Sequence, residues 1–287
     1  MTPFRPLLRY HGGKWRLAPW IIGHFPRHLM YVEPFGGGAS VLLRKKPALQ
    51  EVYNDLDGEI VNLFRVLRDP VHAEQLTRLL DLTPHTRAEY DLSCEEPVSC
   101  PVETARRTLV RAYMGYGSNA VTGQYKSGFR NKLSIGETGL AVNWMDYPTA
   151  IPGFVRRLRQ VTIECLDALE CIPRYDARES LFYVDPPYLP ETRTAHGESY
   201  RHEMTPEQHI QLAGILHSVE GMVILSGYES PLYRELYADG ASPRAAPSVK
   251  KRPSAPSASG YRPTPRQPCR SKAFWSAYES DTDHYRP

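Results

Sequence analysis

The sequence predicts an α/β protein built on a parallel sheet, and three features indicate this. Short runs of β-branched and aromatic residues recur along the chain, helical patterns lie between them, and several runs end in glycine, aspartate or proline. The candidate strands are 29–38, 51–57, 161–167, 181–188 and 222–228. Because ligands of such sheets bind beyond the carboxyl ends of the strands, these terminal residues mark the expected site.

Two segments between the strands have the pattern of helices. In 57–69, apolar residues recur at the i, i+3, i+4 and i+7 spacing from Ile60, which places them on one helix face. Another helix is expected to begin after Thr205, with Pro206 at its first position and Gln208 at its third. That order of residues is typical of a capping box.

Composition limits the class of protein. The chain has 287 residues, of which 41% are hydrophobic and 23% charged, and a formal net charge of +3, which fits a protein with a buried core. We expect no transmembrane helix and no signal peptide, because no apolar run has the necessary length and flanks. The five cysteines include no C-x-x-C pair, so we predict no disulfide framework, no metal site and a cytoplasmic location.

The chain divides into regions of different composition. Residues 1–69 and 160–239 hold the candidate strands and are predicted to form the main domain. The alternation of candidate strands and helices is interrupted at residues 70–159. Arginine and lysine alternate there with tyrosine and phenylalanine, which predicts an inserted, partly helical subdomain. In the final segment, 240–287, residues 241–270 contain seven prolines, seven Lys or Arg and no acid, so we expect a disordered tail.

A glycine run follows the first strand. Gly36, Gly37 and Gly38 lead into an apolar helical segment, and such a turn lets a ligand approach the backbone and the helix N-terminus. A plain tight turn would have the same sequence. Asp55 ends the next strand, where a carboxylate can accept both hydroxyls of a ribose. The turn and the acid together favour an adenosine-type ligand over a solvated aspartate.

The fourth candidate strand ends in Asp185, Pro186, Pro187 and Tyr188. An amine conjugated to an aromatic ring is a poor nucleophile, and it needs acceptors for its N–H groups to hold its lone pair towards an electrophile. An oxygen of Asp185 and the carbonyl of Pro186 can supply them, Pro187 stiffens the turn, and Tyr188 offers a face for a flat ring. Beside a nucleoside cofactor, this set fits methyl transfer from S-adenosylmethionine to an exocyclic amino group.

Three further side chains are candidates for the cofactor site. Tyr10 offers an aromatic face just before two glycines, and Lys14 follows them on a turn, where it can pair with a cofactor carboxylate or a phosphate. A surface lysine is the simpler interpretation of Lys14 taken alone. Asp167 ends the third candidate strand and can meet the adenine of the cofactor.

Taken in order, these motifs resemble the D12 class of N6-adenine DNA methyltransferases, the class of Dam-type and many phage enzymes. The resemblance covers about residues 5–238 and is looser in the middle. It rests on five segments: RYHGGKWRL (9–17), YVEPFGGGASVLL (31–43), YNDLDGEIVNLFRVLRD (53–69), LFYVDPPY (181–188) and LSGYESPLY (225–233).

The resemblance implies a Rossmann-like S-adenosylmethionine-dependent methyltransferase fold with an inserted DNA-recognition subdomain. It implies that the enzyme is site-specific, that it methylates a flipped-out adenine in double-stranded DNA, and that 197–212 helps to hold that base. Asp185 to Tyr188 would be the catalytic motif. The implied cofactor contacts are Tyr10, Lys14, Phe35, Gly36, Gly37, Gly38, Asp55 and Asp185.

The sequence departs from the family in two places. Tyr10 stands where many relatives have tryptophan, and stacking survives that change. Relatives usually continue after 225–233 with a further strand pair, but here the Pro/Ser/Arg-rich tail follows, which suggests a frameshift or a divergent terminus near Asp239. On this interpretation the sheet would lack its edge strands.

Five basic residues of the insertion are predicted to contact DNA phosphates or base edges: Arg106, Arg107, Arg111, Lys126 and Arg130. They can equally be solvated charges. We expect a monomer, with a cognate restriction endonuclease as a further partner if the enzyme belongs to a restriction-modification system. Alternative functions are an N4-cytosine methyltransferase, a glutamine-modifying protein methyltransferase and a catalytically impaired DNA-binding relative. Aspartate at position 185 and the basic insertion favour adenine in DNA.

Overall fold

A computed structural model describes residues 3–95, 97–117, 120–121, 127–131, 139–193, 200–238 and 273–276. Its centre is a parallel sheet in the order β3-β2-β1-β4-β5-β6. The strands are β1 (Met30–Glu33), β2 (Gln50–Asn54), β3 (Val161–Glu164), β4 (Ser180–Val184), β5 (Met222–Gly227) and β6 (Ala273–Ser276). The predicted α/β class with a parallel sheet is therefore confirmed.

Each of the five predicted strands is present, and β1, β2 and β4 end directly before Pro34, Asp55 and Asp185. Val32 of β1 pairs in register with Val52 of β2 and Phe182 of β4, so the apolar centres of the strands are level. The special residues of β1, β2 and β4 consequently reach the same edge of the sheet.

Helices cover both faces of this sheet. They are α1 (Ala18–Ile22), α2 (Ser40–Arg44), α3 (Gly58–Arg68), α4 (Pro70–Leu82), α5 (Arg87–Ser93), α6 (Pro101–Met114), α7 (Leu140–Met145), α8 (Ile151–Leu158), α9 (Ala168–Arg174), α10 (Pro206–Ser218) and α11 (Pro231–Leu236). The side chain of Asp57 caps α3 by accepting a hydrogen bond from the Glu59 N–H. At α10 the predicted capping box is formed by Thr205 and Gln208, with Pro206 at the first position.

Alternate strand residues point to opposite sides of the sheet, as the pleat requires. Tyr31, Tyr53 and Tyr183 pack into one apolar cluster with α1 to α8, whereas Val32 and Phe182 pack into a second cluster with α9 and α10. The sheet is thus the middle of three layers.

The helices of the predicted insertion share the first of these clusters. Leu109 of α6, Trp144 of α7 and Phe154 of α8 are buried together with Phe64 of α3. Beyond α6, Gly115 and Phe129 form an isolated antiparallel bridge. The division into a catalytic domain (1–69 and 160–239) and an inserted subdomain (70–159) stays a prediction.

The order of the strands reverses between β1 and β4. From β1 the chain moves outward through β2 to β3, and it then returns to the other side of β1 with β4 and β5. The loops after β1 and β4 therefore diverge and leave a crevice at this switch point, which is where ligands bind in open α/β sheets.

One part of the predicted tail is ordered. Residues 273–276 form β6, which pairs in parallel with β5. The expectation of disorder over all of 240–287 is wrong for these four residues, and so is the expectation that no strand follows β5. A strand edge with unpaired backbone groups is a ready template for a segment of strand-forming residues. The rest of that segment lies outside the described residues.

Candidate functional site

A cavity opens at the carboxyl ends of β1, β2 and β4, at the switch point of the sheet. It has a volume of about 1060 Å³ including its open mouth. All the predicted cofactor residues line it: Tyr10, Lys14, Phe35, Gly36, Gly37, Gly38, Asp55, Asp167 and Asp185. Sequence reasoning did not single out Glu33, Asp57, Tyr183, Tyr200, Arg201 and Glu203, which line it as well.

The glycine turn after β1 is packed closely by two tyrosine rings. A Cβ on Gly36 would lie 2.2 Å from Tyr53 Cε2, and a Cβ on Gly37 would lie 2.6 Å from Tyr10 Cε1. Gly37 also has φ = 46°, a conformation that L side chains rarely adopt. The missing side chains make room for Tyr10 and Tyr53. The Tyr10 ring lines the cavity, whereas Tyr53 is fully buried.

Asp55 is held at the end of β2 by two backbone donors. Its Oδ2 accepts from the Gly37 N–H at 2.7 Å, and its Oδ1 accepts from the Asp57 N–H at 2.8 Å. Burial raises the pKa of Asp55 to about 6, although both backbone hydrogen bonds oppose the rise. Each oxygen keeps a lone pair, so the carboxylate can still accept from a ligand hydroxyl.

Asn54 and Asp167 fix the loops beside the cavity. The Asn54 amide donates to the carbonyls of Pro34 at 2.8 Å and Leu166 at 3.0 Å, and its oxygen accepts from the Leu166 N–H at 2.9 Å. The ends of β1, β2 and β3 are thereby joined. Asp167 caps α9 by accepting from the Leu169 N–H at 2.8 Å. The same residue lines the cavity.

Asp185 follows β4 and lies opposite Lys14. The Lys14 Nζ is 3.0 Å from Asp185 Oδ2 and also donates to the Gly12 carbonyl at 2.6 Å. The lysine side chain is only 3% exposed, so it is a buried partner of Asp185 and not the surface lysine that was the simpler alternative. Pro187 lines the cavity, whereas Pro186 is buried behind it.

Tyr188 points its hydroxyl at the same carboxylate. It donates to Asp185 Oδ1 at 3.0 Å and lies 3.2 Å from Ser226 Oγ of β5. Its ring is buried, with Lys14 Nζ 4.9 Å above the centroid and Tyr228 packed edge-on at 4.9 Å. Burial and the Asp185 charge raise the pKa of Tyr188, so the hydroxyl remains a donor. The predicted stacking face is therefore covered by Lys14 in this arrangement.

Glu33 is the most buried acid of the cavity wall, and sequence reasoning missed it. It ends β1 with 2% exposure, and its Oε1 accepts from the Tyr31 hydroxyl at 2.9 Å and from the Leu42 N–H at 3.1 Å. Its position next to the glycine turn, at the end of a buried strand, was the available signal. Strand-end acids were considered after β2, β3 and β4 but not after β1.

The segment 200–204 forms the outer wall of the cavity. Arg201 donates to Asp57 Oδ1 at 3.0 Å and to Glu59 Oε2 at 2.7 Å, which ties this wall to the start of α3. Glu203 accepts two hydrogen bonds from Arg193, at 2.8 and 2.6 Å. These pairs hold the segment that the resemblance assigned to the flipped base against the cofactor side of the cavity.

Arg106 is engaged inside the protein. Its side chain donates to both oxygens of Glu103 at 2.7 and 2.8 Å and to Glu89 at 2.7 Å, and the residue is 6% exposed. The prediction that Arg106 contacts DNA is corrected here, because a buried guanidinium with two carboxylate partners is not presented to a phosphate. Its position on the inner face of α6 decides this.

The other predicted DNA contacts differ in their surroundings. Arg107 donates to Glu103 at 2.9 Å, and Arg111 pairs with Glu59 of α3. Arg130 follows the Gly115–Phe129 bridge, and its N–H donates to the Met114 carbonyl at 2.7 Å. Lys126 lies outside the described residues. For all except Arg106, DNA contact stays a prediction.

The described part of the chain contains no group of three or more His, Cys, Asp or Glu side chains that could hold a metal ion. Within the same residues, no helix has both the length and the apolar character to cross a membrane.

The fold and the cavity together define a class of protein. A glycine turn after β1, a buried acid after β2 and Asp-Pro-Pro-Tyr after β4, all at one switch point, are the arrangement of a Rossmann-like methyltransferase. The chain belongs to the D12 class N6 adenine-specific DNA methyltransferase family, whose model matches residues 10–252. The resemblance seen in the sequence is thereby confirmed.

Several curated proteins are similar over most of the chain. The type II methyltransferase M1.LlaDCHI of Lactococcus lactis subsp. cremoris is 27% identical over 251 residues, covering 82% of this chain and 85% of its own length. The DNA adenine methylase of Salmonella typhi is 26% identical and covers 83% of this chain and 85% of its own length. The type II methyltransferase M.MjaIII of Methanocaldococcus jannaschii is 22% identical, with 81% and 88% covered.

Proposed function

We propose that this chain transfers the methyl group of S-adenosylmethionine to the N6 amino group of an adenine flipped out of double-stranded DNA, at a specific sequence. One observation carries the proposal. Asp185 stands at the edge of the switch-point cavity, where Lys14 and the Tyr188 hydroxyl fix both of its oxygens. Family membership makes adenine the target in preference to the N4 of cytosine.

The residues around the cavity fit the cofactor. The cavity lies between the glycine turn, Asp55 and Asp185, and Asp55 has lone pairs left for ribose hydroxyls. The buried Glu33 has an oxygen without a partner among the described residues, which suits a ligand with a donor group. Tyr10, Lys14, Phe35 and the glycine turn would hold the cofactor together with these acids. When bound, S-adenosylmethionine supplies an electrophilic methyl group.

Asp185 orients the amino group of the substrate. The nitrogen of adenine is weakly nucleophilic because its lone pair is delocalised into the ring. Each oxygen of Asp185 has a second lone pair beyond those taken by Lys14 and Tyr188, so one oxygen can accept an N–H of adenine. The Pro186 carbonyl can accept the other N–H. The rate enhancement then comes mainly from orientation and proximity.

The base has to leave the duplex for this geometry. Within a stacked helix the amino nitrogen cannot line up with a methyl donor buried at a sheet edge, so the adenine is flipped into the cavity. The wall formed by 200–204 would flank its path. We propose Arg107, Arg111, Lys126 and Arg130 as contacts to the DNA backbone or to base edges.

Further parts of the proposal concern partners and location. The type II names of two relatives suggest a restriction endonuclease as a cognate partner. We also propose that the enzyme acts as a monomer in the cytoplasm. The alternative of a catalytically impaired DNA-binding relative differs from the main proposal in one measurable property, which is transfer of the methyl group.

The test is a methylation assay on unmethylated double-stranded DNA with labelled S-adenosylmethionine, followed by digestion to nucleosides. We expect label in N6-methyldeoxyadenosine and a decrease of at least about 1000-fold for Asp185→Asn. Asp176→Asn is a matched control, because Asp176 binds the Glu220 and Gly221 N–H groups at the opposite edge of the sheet. Label in N4-methyldeoxycytidine, or equal activity of Asp185→Asn, would contradict the proposal.

A further inference from the structure

His209 of α10 is buried next to the turn formed by residues 185–188. It is 1% exposed, whereas Gln208, its neighbour in the chain, lines the cavity together with Pro187. The capping box of Thr205 and Gln208 fixes the start of α10 at this place. The structure thus brings an imidazole to the 185–188 turn on the inner side of the cavity wall.

The two ring nitrogens of His209 have different surroundings. Nδ1 lies 3.1 Å from the hydroxyl of Tyr233 on α11. Nε2 is buried and makes no hydrogen bond within the described part of the chain. Because buried polar atoms in proteins are nearly always paired, an unpaired nitrogen beside the proposed active site requires an explanation.

The surroundings of the ring determine where its hydrogen lies. Burial keeps the imidazole neutral and lowers its pKa to about 4, although the backbone of Pro187 opposes the fall. A neutral imidazole has one nitrogen that donates and one that accepts. We assign the donor role to the Tyr233 hydroxyl, so Nδ1 accepts and Nε2 carries the hydrogen. His209 therefore presents a buried N–H group that has no acceptor among the described residues.

The carbonyl of Pro187 is the acceptor that suits this N–H group. The Pro187 backbone faces the imidazole, but the pair does not reach hydrogen-bond geometry at Nε2. A movement of the 185–188 turn towards α10 would complete the bond. Hydrogen bonds of active sites are often long before the substrate binds and shorten in the complex.

Such a bond would fix a backbone angle that the prolines leave free. The rings of Pro186 and Pro187 restrict φ but not ψ, and ψ of Pro187 sets the orientation of Tyr188. The Tyr188 hydroxyl donates to Asp185 Oδ1 at 3.0 Å, so the orientation of Tyr188 also influences where the carboxylate points. Arg193 holds the far end of the turn by donating to the Tyr188 carbonyl.

We propose that His209 is a positioning residue of methyl transfer, whose Nε2–H donates to the Pro187 carbonyl when the 185–188 turn holds the amino group of the substrate. The inference rests on the proposed methyl transfer at Asp185. Because the bond is completed only with the substrate in place, it stabilises the reacting complex and not the free protein. No covalent bond changes in this step.

A role in packing alone leads to a different expectation. If His209 only fills space between α10, α11 and the turn, its substitutions lower stability and leave the rate of the folded protein unchanged. Two substitutions with the same functional group separate the roles. The amide of asparagine reaches the position of Nδ1 and can still pair with Tyr233, whereas the amide of glutamine reaches the position of Nε2 and can donate to Pro187.

The experiment measures the single-turnover rate at which the full chain methylates unmethylated plasmid DNA, and its affinity for S-adenosylmethionine by calorimetry. We expect His209→Asn to lower the rate about 10- to 100-fold and His209→Gln to stay within about fivefold of the wild type. The cofactor affinity of both variants should stay within about twofold of the wild-type value. His217→Asn is the matched control, because His217 is exposed on the same helix and contacts the Leu236 carbonyl at 2.8 Å.

The outcomes distinguish this inference from the proposed function. A rate of His209→Asn equal to that of the wild type would overturn the inference and leave methyl transfer intact. A loss in His209→Gln as large as that in His209→Asn would do the same, because the donor to Pro187 would then not matter. A wild type that binds DNA and the cofactor but transfers no methyl group would overturn both.

A further variant covers the case in which the His209 variants do not fold. Tyr233→Phe removes the hydroxyl that keeps the hydrogen of His209 on Nε2. The single-turnover rate should therefore decrease about three- to tenfold, with an unchanged affinity for the cofactor. A rate equal to that of the wild type would contradict the role of His209.

Discussion

Buried charges occur in two regions of this molecule, and they are treated in opposite ways. At the carboxyl edge of the sheet, burial raises the pKa of Glu33 to about 8 and that of Asp55 to about 6. On α6, the two hydrogen bonds from Arg106 lower the pKa of Glu103. The charged form of Glu33 and Asp55 is thus unfavourable at the cavity, whereas the charged form of Glu103 on α6 is stabilised by Arg106.

This difference in the pairing of carboxyl groups distinguishes a binding site from a part of the protein that only stabilises the fold. A carboxyl group that is buried without a cation stores unfavourable energy that a ligand can relieve, whereas a fully paired one stabilises the fold and has nothing left to offer. The number of basic residues on α6 predicted contacts with DNA. Arg106, however, is paired with Glu89 and Glu103 and stabilises the fold. Four predictions test this contrast.

The largest effect is expected at the glycine turn. In Gly36→Ala the new Cβ would collide with the Tyr53 ring and approach the Asn54 carbonyl to 2.9 Å, so β2 and the turn must move apart. We expect the free energy of unfolding to decrease by about 3 kcal/mol and cofactor binding to be lost. Chemical denaturation and calorimetry measure the two quantities.

Gly58→Ala is the matched control for this change. A Cβ at Gly58, the first residue of α3, meets no atom within 4 Å. Its stability should increase by up to about 1 kcal/mol, because alanine restricts the unfolded chain. If Gly36→Ala were as stable as this control, the close packing of the turn would not matter to the site.

The second prediction concerns Arg106. Its removal in Arg106→Ala leaves the carboxylates of Glu89 and Glu103 without their partner, so the free energy of unfolding should decrease by about 3 kcal/mol. DNA affinity of the folded fraction should stay the same. Arg107→Ala removes a more exposed pair and should cost less than about 1 kcal/mol. A selective loss of DNA binding in Arg106→Ala would restore the original expectation.

The third prediction uses the pKa of Asp55, about 6 against an ordinary value of 3.8. Since the folded protein binds this proton more tightly than the unfolded chain, Asp55 makes folding less favourable as the pH rises from about 4 to 6. Cofactor binding needs the charged acceptor, so Asp55 by itself should increase the affinity about tenfold between pH 5 and pH 7. Asp55→Asn should lack this part of the pH profile, and an unchanged profile would remove Asp55 from the site.

The smallest effect is expected at Arg130, next to the Gly115–Phe129 bridge. If it contacts a phosphate, Arg130→Ala should weaken DNA binding by about fivefold for all sequences and reduce the slope of log affinity against log salt by about one. Stability should change by less than about 0.5 kcal/mol. An unchanged slope would mean that Arg130, like Arg106, does not contact a DNA phosphate.

Features that depend on local backbone geometry were predictable from the sequence. The five strands, the capping box at Thr205 and the meeting of Asp55 and Asp185 at one cavity followed from strand ends, turn residues and the parallel sheet. Strand β6 was not predictable, because its pairing with β5 depends on a segment distant in sequence. The unpaired Oε2 of Glu33 was not predictable either, since it results from neighbours on β1 and α2 and from cations used elsewhere.

The sequence by itself determined the class of fold, the family, and the order of the glycine, aspartate and proline residues that follow the strands. Each of these depends on residue types at fixed spacing along the backbone. Only the tertiary structure decided that Lys14 is a buried partner of Asp185 and that Arg106 is paired internally. The physical reason is that a side chain's partner depends on the rotation of its helix and on packing against distant segments, and spacing along the chain does not record either one.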